Sequence, residues 1–126
     1  MAKEKTFDPA LFFAALADRT RLRLLNLMRD GEVCVCLFAE VLGTNNPKIS
    51  RHLSFLKNAL LVQSRRDGKW IYYRIVEPTD RKASDVFKAT LEMLRADEEM
   101  STDGVRLVEV CCAPNAPVAI QRVRSS

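Results

Sequence analysis

The sequence is 126 residues long, 48% of them hydrophobic, and carries a net charge of +4. This length predicts a single domain with a modest core. No apolar run approaches the roughly 20 residues that cross a bilayer, and the charged residues Lys3, Glu4 and Lys5 do not begin a signal peptide. We therefore expect a soluble, cytoplasmic protein that has no membrane partner.

The first three predicted elements are helices. Asp8-Pro9 begins one, and Asp18 begins a second that runs from Arg19 to about Arg29. A short third helix spans Leu37 to Leu42, and Gly43 supplies the left-handed residue that closes it.

A fourth helix, which begins near Pro47, is the most informative stretch. Asn46 is its predicted cap, and Ile49, Leu53, Leu56 and Leu60 recur at the spacing of one buried stripe. The remaining surface is polar and basic, which suits the DNA major groove. A solvated amphipathic helix is the alternative. The candidate DNA contacts on this helix are Asn46, Lys48, Ser50, Arg51, His52 and Lys57.

A β-hairpin is predicted over Val62 to Val76, with its turn at Asp67-Gly68. A tight turn there would place Arg66 opposite Lys69 and Arg65 opposite Trp70, so that Arg65 stacks on the Trp70 ring. The alternation of residues would then place Val62, Ile71, Tyr73 and Ile75 towards the core and Gln63, Arg65, Trp70, Tyr72 and Arg74 outside. The candidate DNA contacts on the hairpin are Arg65, Arg66 and Lys69.

Positive charge is concentrated in the fourth helix and the hairpin. Residues 44–75 contain seven Lys or Arg and one acid, a balance of +6, whereas the rest of the chain has thirteen bases and fifteen acids. A local basic segment in an otherwise slightly acidic chain indicates a face that binds a polyanion such as double-stranded DNA.

A last helix is predicted from Pro78-Thr79-Asp80 to about Met100, with Asp103-Gly104 as the break that follows it. This pattern divides the chain into a domain over residues 1–100 and a C-terminal extension over residues 101–126. We expect the last ten residues of the extension to be mobile.

The four cysteines form two close pairs, Cys34/Cys36 and Cys111/Cys112. Residues one or two apart are poor partners for structural disulfides, and the expected compartment is reducing. Two pairs of free thiols in such a protein favour binding of a soft metal ion or redox chemistry. Burial of either pair as ordinary apolar side chains is the alternative.

Four segments, residues 14–22, 32–36, 47–53 and 66–74, together resemble the ArsR/SmtB metal-responsive repressors, and within them the arsenic-responsive branch. The resemblance covers roughly residues 8–96. It implies a winged helix-turn-helix fold, mainly α with a β-hairpin, that homodimerises through its first and last helices. It also implies binding to a pseudo-palindromic operator and release when a metal or metalloid binds.

The resemblance also implies a site for the inducer. Arsenic-responsive members carry a Cys-Val-Cys pair at the position of Cys34 and Cys36, and commonly a third cysteine where this chain has Ala39. Trivalent arsenic or antimony prefers three sulfurs, so Cys111 and Cys112 are candidates for completing the set. No resident cofactor is expected. The family also commonly has a glycine at the position of Leu60, so the end of the fourth helix is expected to differ.

Two alternatives concern the signal that the repressor senses. Four thiolates could hold cadmium or lead, and close thiols could instead oxidise. A zinc site of the family's usual kind is less expected, because it uses histidine on the last helix and the single histidine here is His52. An enzyme is not expected, since no base accompanies either cysteine pair.

Overall fold

The computed structural model describes residues 6–111. Leu24, Phe38, Ile49 and Leu53, which come from three different helices, are fully buried at the centre of the core. Within this range, none of the helices combines the length and the apolar character that a bilayer crossing needs. In chain order the elements are α1 (Pro9–Leu16), α2 (Arg19–Leu27), β1 (Val33–Cys34), α3 (Val35–Leu42), α4 (Asn46–Asn58), β2 (Val62–Asp67), β3 (Trp70–Ile75), α5 (Arg81–Leu94) and α6 (Glu98–Cys111).

The first two helices begin where the sequence predicts. The side chain of Asp8 accepts a hydrogen bond from the Ala10 amide, and that of Asp18 accepts one from the Arg21 amide, each at 3.0 Å. Both aspartates have extended backbones, as residues that cap a helix do. The two caps therefore fix the residues at which α1 and α2 begin.

A two-residue strand that the sequence analysis did not predict comes before α3. β1 pairs antiparallel with β3, placing Cys34 opposite Tyr72, and the strand order β1-β3-β2 makes β3 the central strand. α3 therefore begins at Val35, two residues earlier than predicted. It ends at Gly43, whose φ of 69° is the predicted left-handed stop.

The predicted register of the hairpin is wrong by two residues. Asp67 pairs with Trp70, so the two-residue loop is Gly68-Lys69, and Arg65 lies opposite Tyr72. Arg65 consequently stacks on Tyr72, with 4.4 Å between Cζ and the ring centroid, and not on Trp70.

The predicted faces of the hairpin are confirmed at Val62, which is buried, and at Gln63, Arg65 and Arg74, which are exposed, but they are wrong at Tyr72. Tyr72 was expected outside but is 3% exposed, whereas Ile71, Tyr73 and Ile75 are only partly buried. The reason is tertiary, because β3 is flanked by β1 and β2 and packs against α3.

The start of α4 differs from the prediction by one residue. Asn45, and not Asn46, is the cap, since its extended backbone precedes the helix and its side chain accepts a hydrogen bond from the Lys48 amide at 3.0 Å. Asn46 and Pro47 occupy the first two helical positions, where no amide donor is needed.

The helix ends at Asn58, and a leucine occupies the left-handed position after it where a glycine is usual. Leu60 adopts a left-handed conformation with φ of 65°. The Leu60 amide donates to Lys57 O and the Leu61 amide to Leu56 O, both at 3.0 Å, which is the hydrogen-bond pattern of a Schellman motif. Leu60 is thus outside the helical stripe in which it was predicted.

Two helices replace the single last helix that was predicted. α5 ends at Leu94, and α6 begins after Asp97, whose side chain accepts a hydrogen bond from the Met100 amide at 3.1 Å. The predicted break at Asp103-Gly104 lies inside α6, because Asp103 is buried against α2 and ion-paired there. The predicted boundary between residues 100 and 101 also falls inside this helix, and the division into a domain and an extension stays a prediction.

Candidate nucleic-acid interface and thiol pair

One face of helix α4 packs in the core, and the opposite face is exposed to solvent. Ile49, Leu53 and Leu56 are fully buried and fix the helix in the core. The predicted DNA contacts Asn46, Lys48, Ser50, Arg51 and Lys57 are all exposed, and so is Ser54, which lies one turn after Ser50. The helical period of the buried residues could have identified Ser54 as part of the exposed surface.

His52 occupies a different environment from its neighbours on α4. Its Nδ1 lies 3.3 Å from Nη1 of Arg21, and because a guanidinium can only donate, the ring nitrogen accepts. Arg21 also stacks on Phe55, 4.1 Å from the ring centroid, and donates to Ala15 O at 3.0 Å. Arg21 therefore joins the end of α1 to the side of α4, a contact that local sequence patterns do not signal.

The hairpin presents a basic tip. Arg66 and Lys69 are exposed, and Lys69 Nζ lies 5.1 Å from the centroid of the Trp70 ring. Lys57 of α4 donates to Ser64 Oγ of β2 at 3.1 Å, which joins the helix to the base of the hairpin. The two basic elements, α4 and the hairpin, are therefore adjacent in the fold.

Arg65 differs from the other cations of residues 44–75. Within residues 6–111, it is the one member of this set that pairs with a carboxylate: Glu32 in front of β1, and more distantly Asp67. The hydrogen bond to Glu32 raises the pKa of Arg65 above its usual range. The sequence analysis missed Glu32, which only the paired strands bring next to Arg65.

Cys34 and Cys36 lie together at the junction of β1 and α3. Cys34 is buried and caps α3 with an extended backbone, whereas Cys36 is already helical, and their sulfurs are 3.1 Å apart. Residues i and i+2 would point about 200° apart within a helix, so this approach depends on the non-helical backbone at Cys34. Burial, followed by the hydrogen bond to Cys34, raises the pKa of the Cys36 thiol to about 12.

The other cysteine pair is only partly described. Cys111 ends α6 and is buried in the same core as Cys34, and α6 packs against α3. Cys112 lies outside the described residues. Among residues 6–111, no three His, Cys, Asp or Glu side chains are close enough together to hold a metal ion.

The fold and the basic surface define a class of protein. α3 and α4 form a helix-turn-helix with an exposed basic second helix, and the β2–β3 hairpin follows as a wing, which is the architecture of winged helix-turn-helix DNA-binding regulators. The sequence profile described as bacterial regulatory protein, arsR family, matches residues 18–64. An arsenic resistance transcriptional regulator of Pseudomonas putida is 39% identical over 113 residues, covering 88% of this chain and 86% of the relative. The chain belongs to the ArsR family.

Further comparisons agree with this assignment. The arsenical resistance operon repressor of Escherichia coli is 44% identical over 68 residues, which is 53% of this chain and 58% of the repressor. A homodimeric winged helix-turn-helix DNA-binding domain from Mycobacterium bovis superposes with a TM-score of 0.55 at 35% identity, covering 73% of this chain and 81% of that one. The repressor BigR from Xylella fastidiosa gives a TM-score of 0.59 at 28% identity, with 71% and 85% covered. The predicted fold class and family are confirmed.

Proposed function

We propose that this chain is a cytoplasmic transcriptional repressor that binds a pseudo-palindromic operator as a homodimer and is released when trivalent arsenic or antimony binds its cysteine thiolates. The observation that carries the proposal is the 3.1 Å approach of Cys34 and Cys36 at the start of α3, the helix directly before α4. Relatives named for arsenic resistance support the choice of inducer.

In this proposal α4 enters the major groove and the wing contacts the adjacent backbone. Lys48 and Arg51 lie on the exposed side of α4, next to its N-terminal residues Asn46 and Ser50. Arg66 and Lys69 at the wing tip are positioned for phosphates. His52 and Lys57 are additional contacts at the edges of the helix. Neutralising several phosphates makes the affinity for the operator strongly dependent on salt.

The proposed dimer interface involves α1 and α5. Phe13 of α1 and Val86 of α5 are exposed apolar side chains that line one groove, together with Phe7 and Ala83. Exposed apolar side chains in a shared groove are typical of a surface that another chain covers. A two-fold axis there would place two α4 helices about one duplex turn apart, or a multiple of it.

The proposed inducer site uses three sulfurs drawn from Cys34, Cys36, Cys111 and Cys112. Cys34 and Cys36 lie at the start of α3, and Cys111 ends the helix α6 that packs against α3. A sulfur from the end of α6, of the same or the partner subunit, would join this helix to the start of α3. An ion bound there changes operator affinity only in so far as it binds the two shapes of the protein with different affinity.

Thiol oxidation is a second candidate signal, because the sulfurs of Cys34 and Cys36 lie close together, although the raised pKa of Cys36 makes this thiol slow to oxidise near neutral pH. A disulfide needs sulfurs about 2.05 Å apart, and the pair starts at 3.1 Å. Cadmium or lead remains the alternative ligand for four thiolates.

The test of the proposed function is release of a fluorescently labelled operator, followed by polarisation under reducing conditions. Arsenite should release the wild-type protein, and Cys34→Ser and Cys36→Ser should each weaken release without changing affinity in the absence of arsenite. Cys111→Ser and Cys112→Ser identify which tail sulfur participates. No release of the wild type by arsenite or antimonite would overturn the proposal, and release by peroxide alone would support oxidation instead.

The pH dependence of release separates a metalloid from a divalent cation. When As(OH)₃ binds thiols, its hydroxide groups leave as water with the thiol protons, so no net proton is released. A divalent cation must displace those protons, and each proton displaced raises the apparent affinity about tenfold per pH unit. Because the pKa of Cys36 is about 12, the cadmium titration should improve steadily with pH and the arsenite titration should stay nearly flat.

A further inference from the structure

The segment that carries the thiol pair is fastened to the wing. Glu32, directly before β1, accepts hydrogen bonds from Nε of Arg65 at 3.2 Å and from its Nη2. The Glu32 side chain is 17% exposed and that of Arg65 is 47% exposed. A two-point carboxylate–guanidinium contact fixes orientation as well as distance. The pair therefore joins the start of β1 to β2 across the sheet.

A second contact closes a ring of four residues. The Arg65 guanidinium stacks on Tyr72 of β3, 4.4 Å from the ring centroid. Tyr72 lies opposite Arg65 in one strand pairing and opposite Cys34 in the other. Cys34 in turn lies two residues after Glu32 along the chain. Any displacement of Cys34 is thus applied to the wing through both Tyr72 and the Glu32–Arg65 pair.

Arg65 and its neighbour Arg66 differ in the contacts that their side chains make. Successive residues of a strand point to opposite faces, so Arg65 faces Tyr72 while Arg66 faces the other way. Arg66 is exposed, and its Nη1 lies 3.4 Å from Gly68 O in the same turn. Two neighbouring arginines of the wing therefore have different partners.

We propose that the Glu32–Arg65 pair is a latch that positions the wing and transmits ligand binding at Cys34 and Cys36 to it, and that Arg65 is a positioning residue and not a phosphate contact. The proposal rests on the proposed function, because it concerns how the thiol site controls operator affinity. It adds the wing to α4 as an element that this site controls.

The latch is tested by measuring operator affinity with and without arsenite for Glu32→Gln, Arg65→Gln and the double variant. The release ratio, which is the dissociation constant with arsenite divided by that without it, should fall by about 3- to 30-fold in each. The two single changes alter the net charge in opposite directions, so a general electrostatic effect would move their arsenite-free affinities apart without lowering both ratios. If the residues act as one unit, the double variant should match the single variants.

Arg66→Gln is the matched control. It should weaken operator binding without arsenite and lower the salt dependence, while leaving the release ratio unchanged. The variant Glu32→Arg with Arg65→Glu restores a charge pair and should recover a higher release ratio than either single change. Circular dichroism checks that each variant is folded.

The single tryptophan supplies a readout that needs no DNA. Trp70 begins β3 at the wing tip, so arsenite should change its fluorescence in the wild type and less in Glu32→Gln. Release of the wild type with equal ratios in the latch variants would overturn the latch alone. Absence of release from the wild type would overturn the proposed function itself.

Discussion

Asp103 of α6 accepts two hydrogen bonds from the Arg23 guanidinium of α2, at 2.8 Å from Nε and 3.0 Å from Nη2. The Asp103 side chain is 5% exposed and that of Arg23 is 19% exposed. The hydrogen bonds that Arg23 donates to Asp103 raise the pKa of Arg23 above its usual range. This pair, together with the contact from Asn26 Nδ2 to Met100 O at 2.9 Å, fixes α6 against α2.

Removing one partner of this pair should strongly destabilise the protein. Arg23→Met leaves the Asp103 carboxylate nearly buried and unpaired, which costs about 3–5 kcal/mol in comparable sites. Adding Asp103→Leu to Arg23→Met removes the unpaired charge and should recover most of the loss. Guanidinium denaturation at a fixed protomer concentration measures both variants. Similar stabilities of the single and double variants would show that the unpaired Asp103 carboxylate does not destabilise the fold.

At position 60, a glycine variant should be more stable than an alanine variant, which is the reverse of the order at an ordinary helical site. Its φ of 65° lies in the left-handed region, which costs a residue with a Cβ roughly 1–2 kcal/mol. Leu60→Gly and Leu60→Ala remove nearly the same side-chain contacts, so their difference reports on the backbone. We expect Leu60→Gly to be more stable than Leu60→Ala by about 1 kcal/mol, whereas at an ordinary helical site glycine is the less stable. Thermal denaturation of both variants checks the sign.

Arg51 should contribute to the salt dependence of operator binding. Each phosphate contact that is lost lowers the slope of log K against log salt by about 0.9, so Arg51→Gln in a dimer should lower it by about 1.8. Lys88→Gln removes the same charge from α5, where Lys88 pairs with Glu77 at 3.6 Å, and should leave the slope nearly unchanged. Equal slopes in the two variants would exclude a phosphate contact at Arg51.

The Cys36 thiol should be unreactive near neutral pH. Because its pKa is raised to about 12, its alkylation rate should still increase at pH 10, where an ordinary thiol with a pKa of about 8.5 has levelled off. In a variant with Cys111→Ser and Cys112→Ser, tandem mass spectrometry of the peptide that contains both remaining cysteines separates alkylation at Cys36 from alkylation at Cys34. Cys34→Ser removes the sulfur partner and should bring the plateau to lower pH.

The raised pKa of Cys36 also predicts how the stability of the protein depends on pH. A thiol whose pKa is higher in the folded than in the unfolded chain keeps its proton longer when folded, so the unfolded chain loses its proton first. The free energy of unfolding should therefore fall as the pH rises from about 9 to about 12. Cys36→Ala should flatten this part of the curve, which chemical denaturation at several pH values can measure.

Local signals in the sequence were sufficient for much of the fold. The caps Asp8 and Asp18, the stop at Gly43 and the buried stripe of α4 depend on residues within a few positions of one another. The hairpin was also predicted, but its register was not, because the turn signal Asp67-Gly68 admits loops that differ by one position on each strand. Asn46 was the predicted cap of α4, but the helix uses Asn45, one residue earlier.

The sequence by itself determined the types of most elements, the concentration of basic residues and the family, since these follow from periodicity, composition and motifs along the chain. Only the tertiary structure decided which charged side chains face solvent and which form ion pairs with residues distant in sequence. Arg65 meets Glu32 across 33 residues and Arg23 meets Asp103 across 80. Such pairs form because packing of β1 on β3 and of α6 on α2 brings distant residues together, and no local pattern encodes that proximity.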